Sequence, residues 1–150
     1  MNDPAEALRA YIETNYSLAT AGVAAADVKF TTVDYNTDRS PQSPHVIVQL
    51  SGFQRDQPEE DTTHIFTFLV QVSVFPKWRK TQADIAALQG LYWSIVNHLK
   101  IKFDAFAKDA IAGWQWAFVE TGANAGIAMG TIPDEYVFNL TVKACIAWSS

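Results

Sequence analysis

Few residues in this 150-residue chain have the chemistry for catalysis or metal binding: three histidines and one cysteine are the obvious candidates. His45, His64 and His98 offer neither an HExxH motif nor two histidines at i and i+4, so the spacing of a metal helix is missing. His45 and His64 could meet across paired strands, which reads as surface decoration rather than a ligand pair. Cys145 lies in an apolar strand, out of phase with its main apolar face and away from basic neighbours, the setting of a structural thiol. A single cysteine also excludes an intrachain disulfide framework and a cysteine-based zinc site. No serine sits in a GxSxG elbow. Carboxylates adjoin at Glu59, Glu60 and Asp61 and again at Asp134 and Glu135, in polar stretches where burial would not raise a pKa. Gly122, Gly126 and Gly130 are spaced like a phosphate loop, yet no GK[ST] follows, and Pro133 leads into a strand rather than a helix. The sequon at Asn139 to Thr141 falls within a strand. Together these absences predict no enzymatic activity, no catalytic residue, no metal and no cofactor.

What is left is charge. Lys77, Trp78, Arg79 and Lys80 form a basic turn ahead of a helix N-terminus, where the dipole also favours anions. One use of that turn is nucleic-acid contact, with Trp78 stacking and three bases on phosphates; the plainer use is a solvated connection. Against the first stands a net charge of −5, from 11 Lys and Arg and 16 Asp and Glu. The balance is uneven. Residues 1–61 carry ten acids and four bases, a sum of −6, whereas residues 62–150 carry six acids and seven bases, a sum of +1.

The elements that position these residues are legible from periodicity. Asp3, Pro4 and Glu6 form a helix start, followed by Leu8, Tyr11 and Ile12 on one stripe and Gly22 as a stop. Strands are predicted over 28–35, 45–53 and 63–75. In the last of these Phe66, Phe68, Val70, Val72 and Val74 point one way, and Ile65 and Leu69 interrupt the polar side. A second helix begins near Thr81, with Ile85, Leu88, Tyr92, Ile95 and Leu99 as its apolar stripe. Phe103, Phe106 and Ile111 could continue it, or the β-branched and charged residues around Lys100–Lys102 could break it, and Gly113 ends the region either way. Two strands close the chain: 114–121, with Trp114, Trp116 and Phe118 on one face, and 136–147, with Tyr136, Phe138, Leu140, Val142, Ala144 and Ile146 on one face. Residues 122–130 read as a glycine-rich connection.

With 49% apolar residues, 18% charged and no linker, residues 1–150 are predicted to form a single α+β domain. Its order is α-β-β-β-α-β-β: an antiparallel β-sheet with helices packed on one side. No apolar run approaches 18 residues, and the acidic start is unlike a secretory signal, so a soluble protein made inside the cell is expected, without a membrane partner. Five tryptophans and 13% aromatic residues exceed what a small core requires and hint at subunit contacts.

This order of elements resembles the tail-terminator (tail-completion) proteins of long-tailed bacteriophages. The resemblance rests on residues 45–53, 65–75, 84–99 and 136–148, spans nearly the whole chain, and lies in order and size rather than in a motif. It implies a virion protein of the tail or neck, assembled in the host cytoplasm. It also implies a homo-oligomer, a ring of usually six subunits, that caps the tail tube and joins it to the head. The partners implied are a tail-tube protein and a head-neck or connector protein, with DNA passing through without sequence-specific binding. An acidic chain suits such a channel, because a basic lining would hold DNA back. A ring also needs two different complementary patches per subunit. The strand over 63–75 would span about 40 Å at ~3.3 Å per residue. It thereby separates the acidic residues Asp56, Glu59, Glu60 and Asp61 from Lys77, Trp78, Arg79 and Lys80. The two clusters are therefore expected to pair between neighbouring subunits and to set register. Three other readings compete: a head-tail connector or stopper, a small ligand-binding α+β domain with an aromatic cavity at Trp114, Trp116 and Phe118, and a nucleic-acid adaptor using the basic turn.

Overall fold

Asp3 and Pro4 start the first helix as their residue types dictate. In the computed structural model of the chain, which describes residues 3–15, 29–32, 45–55, 63–74, 82–120, 127–129 and 136–148, the Asp3 Oδ1 accepts a hydrogen bond from the Ala5 amide at 2.9 Å. That bond satisfies one of the otherwise orphaned donors of helix α1 (Pro4–Asn15). Ala5, Leu8 and Ile12 form its buried stripe. On its solvent side Arg9 Nε donates to Glu6 Oε1 at 2.9 Å and its guanidinium also reaches Glu13. The Arg9 contact holds the Glu6 carboxyl below its ordinary range. Gly22, expected to stop this helix, lies outside the described residues.

The strands are β1 (Lys29–Thr31), β2 (His45–Arg55), β3 (Thr63–Val74), β4 (Trp114–Glu120), β5 (Ile127–Met129) and β6 (Tyr136–Ala147), with helix α2 (Gln82–Asp104) between β3 and β4. They form one sheet in the order β1-β2-β3-β6-β4, and β5 pairs with the other half of the β6 edge. The class is α+β, as the sequence predicts, with two refinements. First, β1 is three residues long and runs parallel to β2, so the sheet is mixed rather than wholly antiparallel. Parallel pairing needs a long connection, and the segment between β1 and β2 is long enough to return the chain to the same end. Second, the glycine-rich connection contains β5, whose Ile127-Ala128-Met129 pairs with Tyr136, Val137 and Phe138. Three apolar residues between glycines are too short a run for periodicity to reveal.

Alternation sorts the long strands into two faces. Val46 and Val48 of β2, Phe66, Phe68 and Val70 of β3, and Leu140, Val142, Ala144 and Ile146 of β6 are buried in one cluster with Leu8 and Ile12 of α1 and Val96, Leu99 and Phe103 of α2. Both helices therefore cover the same face. Tyr11 of α1 stacks on Phe103 of α2 at 5.6 Å between ring centroids, which joins them above the sheet. Helix α2 runs on past Lys100 and Lys102 to Asp104, and Phe106 and Ile111 beyond it still pack on the core. Leu99 is buried as its spacing predicts, whereas the side chains of Ile85, Leu88, Tyr92 and Ile95 lie outside the described residues. Gly113 enters β4 with a φ of 83°, a left-handed conformation that favours glycine.

Candidate functional site

The predicted aromatic face of β4 does not exist as one face. Trp114 stands opposite Ile146 and Trp116 opposite Cys145, so two steps along β4 match one step along β6, and the register shifts between the two tryptophans. This is a β-bulge, with Gln115 as the extra residue, and it reverses the parity of everything after it. Trp114 points into the core, 2% exposed, and stacks on Phe68 at 5.5 Å. Trp116 and Phe118 point to the other face, 37% and 40% exposed, and stack on each other at 5.5 Å. The three residues therefore do not line a common cavity, and the reading as an aromatic ligand pocket loses its basis.

The outer face carries Ile65, Thr67, Leu69 and Gln71 of β3 with Thr141, Lys143 and Cys145 of β6 in the same rows. Cys145 is buried here, on the side opposite the core cluster, as its phase in the strand implies. Lys143 reaches Glu120 at 3.5 Å across the β4–β6 pair. Ile65 and Leu69 are half-buried, so this face presents a mixed apolar and polar surface ending in Trp116 and Phe118 at the sheet margin.

The two margins of the sheet have matching form. Among the described residues, β1 pairs with β2 at His45, Val46 and Ile47, and no strand pairs with the outward side of β2 beyond that point or with the outward side of β4. Their heights also match. The pairings run in continuous rows: Gln54, Ile65, Cys145 and Trp116; Gly52, Thr67, Lys143 and Phe118; Leu50, Phe68, Val142 and Val119; Gln49, Leu69, Thr141 and Glu120. The large apolar residues exposed among the described positions concentrate there. Leu50 and Phe53 are on β2 and Trp116 and Phe118 on β4, while Trp93 and Ile101 lie on α2. Open backbone with exposed apolar side chains is the form that strands elsewhere avoid or cover.

The histidines are not brought together. His45 stands opposite Ser73 and His64 opposite Arg55, at the two ends of the β2–β3 ladder, because the strands pair antiparallel over their whole length. His64 instead sits among Phe53, Phe66 and Trp148, with ring centroids 5.2 to 6.4 Å away. His98 on α2 is half-buried with its Nε2 unpartnered, and burial, with Lys102 nearby, holds its pKa below the usual histidine value. Among the described residues no group of three His, Cys, Asp or Glu could hold a metal, and no helix is long and apolar enough to cross a membrane. The predicted contact residues Asp56, Glu59, Glu60, Asp61, Lys77, Trp78, Arg79 and Lys80 lie outside the described residues, as do Asp134 and Glu135. Arg55, the last residue of β2, and Val74, the last of β3, stand at opposite ends of the β2–β3 ladder. What sequence reasoning missed are the bulges at Gln115 in β4 and Ser51 in β2, and the two stretches of margin that no strand pairs with among the described residues.

No family model matches the chain, and no curated protein matches it in sequence. A solved structure matches it in fold. The fold is similar to that of a chain in the virion of a native gene transfer agent (GTA) particle, with a TM-score of 0.58 and 13% identity, covering 99% of this chain and 100% of that one.

Proposed function

We propose that this chain is a structural subunit of a phage-like virion, a tail terminator whose ring caps the tail tube and joins it to the head-neck. The observation that carries this reading is the fold shared end to end with a chain of a gene transfer agent virion. At 13% identity the likeness is one of fold, and the function is inferred from it together with the surface. Among the described residues no group of three His, Cys, Asp or Glu could hold a metal, whereas two sheet margins bear exposed aromatic and aliphatic residues. That surface suits a protein that works by being assembled. No cofactor or enzymatic step is needed.

In the proposed assembly Asp56, Glu59, Glu60 and Asp61 of one subunit contact Lys77, Trp78, Arg79 and Lys80 of another. The twelve-residue strand β3, about 40 Å long, lies between the two clusters in sequence, which favours pairing between chains over pairing within one. Such exposed pairs set register more than they add affinity.

Immunogold labelling of phage-like particles that contain the chain tests the reading. Label between tail tube and head is the expected result, together with rings of roughly 100 kDa, six chains of 16.6 kDa, in native mass spectrometry. Label inside the head, at the distal tail tip or absent from the particle overturns it. Label confined to the head side after tails are detached favours a stopper instead.

A further inference from the structure

We infer that the β4 margin of one subunit adds to the open half of the β2 margin of a second copy, so that the sheets of neighbouring subunits run together in a closed ring. This deepens the reading as an assembly subunit and rests on it.

The topology gives the direction. With β2 taken as up, β3 runs down, β6 up and β4 down, since each of these pairs is antiparallel. Copies related by rotation about an axis along the strands then bring a descending β4 beside an ascending β2, an antiparallel pair. The heights agree as well. The β2 half left open by β1 shares its rows with β4, so copies placed level meet over Gln49–Gln54 and Trp116–Glu120 without one riding above the other.

The side chains in those rows are complementary. Phe118 of one copy comes level with Gly52 of the next. A Cβ at Gly52 would meet nothing within 4 Å, and the glycine stands beside a bulge in β2, where Ser51 is the extra residue between Leu50 and Gly52. The open position leaves room for the Phe118 ring of the next copy to lie across it. On the helix-side face, Leu50 and Phe53 come beside Val119 and Ala117, and the core continues across the boundary. A shift of two residues keeps these faces aligned, whereas a shift of one sets apolar against polar.

Area favours a ring over a pair. A margin of six residues is a strip about 20 Å long in a sheet about 10 Å thick. That is roughly 200 Å², well short of the ~800 Å² per partner of a standard interface. One such contact would not hold a dimer. In a closed ring every subunit uses both margins, and removing one subunit breaks two contacts. Level pairing keeps Arg55 at the end of β2 and Val74 at the end of β3 at opposite heights in neighbouring copies, so the charge contact between neighbours is the competing arrangement that the trapping experiment distinguishes.

Cysteine trapping tests this. In a Cys145→Ala background, Leu50→Cys and Val119→Cys are combined and oxidised with copper phenanthroline. Within one chain the two positions are three strand spacings apart, about 14 Å, too far for a disulfide, so any bond joins two copies. The expected result is a ladder of linked species up to the ring in the double variant and monomer in each single variant. Phe118→Lys added to the double variant should lower the linked product at least tenfold while the monomer stays folded by circular dichroism. Rings of the unmodified chain seen by mass, with no linkage between positions 50 and 119, overturn the margin contact and leave the assembly reading standing. A chain that neither links nor forms rings at any concentration overturns both.

Discussion

Two stacked aromatic pairs of nearly the same geometry sit one residue apart in consequence. Phe68 and Trp114 stack at 5.5 Å and 13° inside the core, and Trp116 and Phe118 stack at 5.5 Å and 22° on the outer face. The first pair is sealed beneath α2 and Phe106, and the second meets solvent. Composition and spacing treat all four rings alike. What separates them is the single extra residue at Gln115, which turns the chain so that the same strand serves the core with one tryptophan and the surface with the next. Aromatic area buried on folding contributes to stability, and aromatic area left exposed remains available for association.

The largest effect should come from removing the inner pair. Trp114→Ala deletes a buried ring from the centre of the cluster and is expected to cost about 3–5 kcal/mol in denaturant melts, the range for large aromatic truncations. Trp116→Ala, by contrast, should change monomer stability by no more than about 1 kcal/mol, since the ring is more than a third exposed. Its effect belongs in the mass of the assembly, which should fall toward monomer. Equal losses of stability in both variants would erase the distinction between the pairs.

Much of the fold was readable because long strands with one buried face announce themselves by alternation. Phe66, Phe68 and Val70 are buried as the period of two requires, and the cap at Asp3 makes the bond its residue type suggests. The bulge was not readable, because Trp114-Gln115-Trp116 looks like ordinary alternation, and a bulge is decided by the partner strand rather than by its own residues. The parallel pairing of β1 was hidden for a similar reason. Three residues carry no direction, and their partner is fixed by where the intervening chain returns. Which strand sides stay unpaired among the described residues is a property of strand order, which no local pattern encodes. The charge clusters, legible at once, lie outside the described residues.

Next in size is the charge contact. Reversing Lys77, Arg79 and Lys80 to Glu should lower assembly into particles while leaving the monomer's melt within about 0.5 kcal/mol, since an exposed turn tolerates substitution. Combining it with Lys at Asp56, Glu59, Glu60 and Asp61 should restore part of the loss, because complementarity returns with opposite sign. Raised salt should weaken the native contact modestly, given screening over about 8 Å at physiological ionic strength. This variant also sharpens the comparison of regions. If the margins carry the ring, linkage between Leu50→Cys and Val119→Cys survives the reversal; if the charge contact between neighbours carries it, linkage is lost with the ring. Normal particle assembly by the reversed chain would show the clusters to be solvated loops.

A smaller effect is expected at the cap. Asp3→Ala removes the acceptor for the Ala5 amide and should cost about 1 kcal/mol, read as a lower melting midpoint with an unchanged slope. Since α1 covers the β2 side of the inner face, the change should leave the outer pair and its association untouched. A fall in assembly larger than the fall in stability would tie α1 to the contact surface instead.

The smallest effect concerns the helix above the inner pair. Burial and Lys102 hold the His98 imidazole below its ordinary pKa, so the folded chain keeps it neutral at a pH where the unfolded chain has begun to protonate. Between those two pKa values the unfolded state binds more protons, and stability rises with pH there. The contribution is therefore fully present above the unfolded value of about 6.5 and is lost as pH falls through 6.5 to the lower folded value. His98→Leu removes both the titration and the buried Nε2 that finds no partner. Melts taken from pH 7.5 down to pH 5 should show a decline in the parent chain that is shallower in this variant. The outer pair supplies the control: Phe118→Ala, on the face away from His98, should leave the slope of that decline as it is in the parent. If His98→Leu and its parent lose stability in parallel over this window, the imidazole is not the group being titrated, and the carboxylates of the solvent face carry the pH dependence.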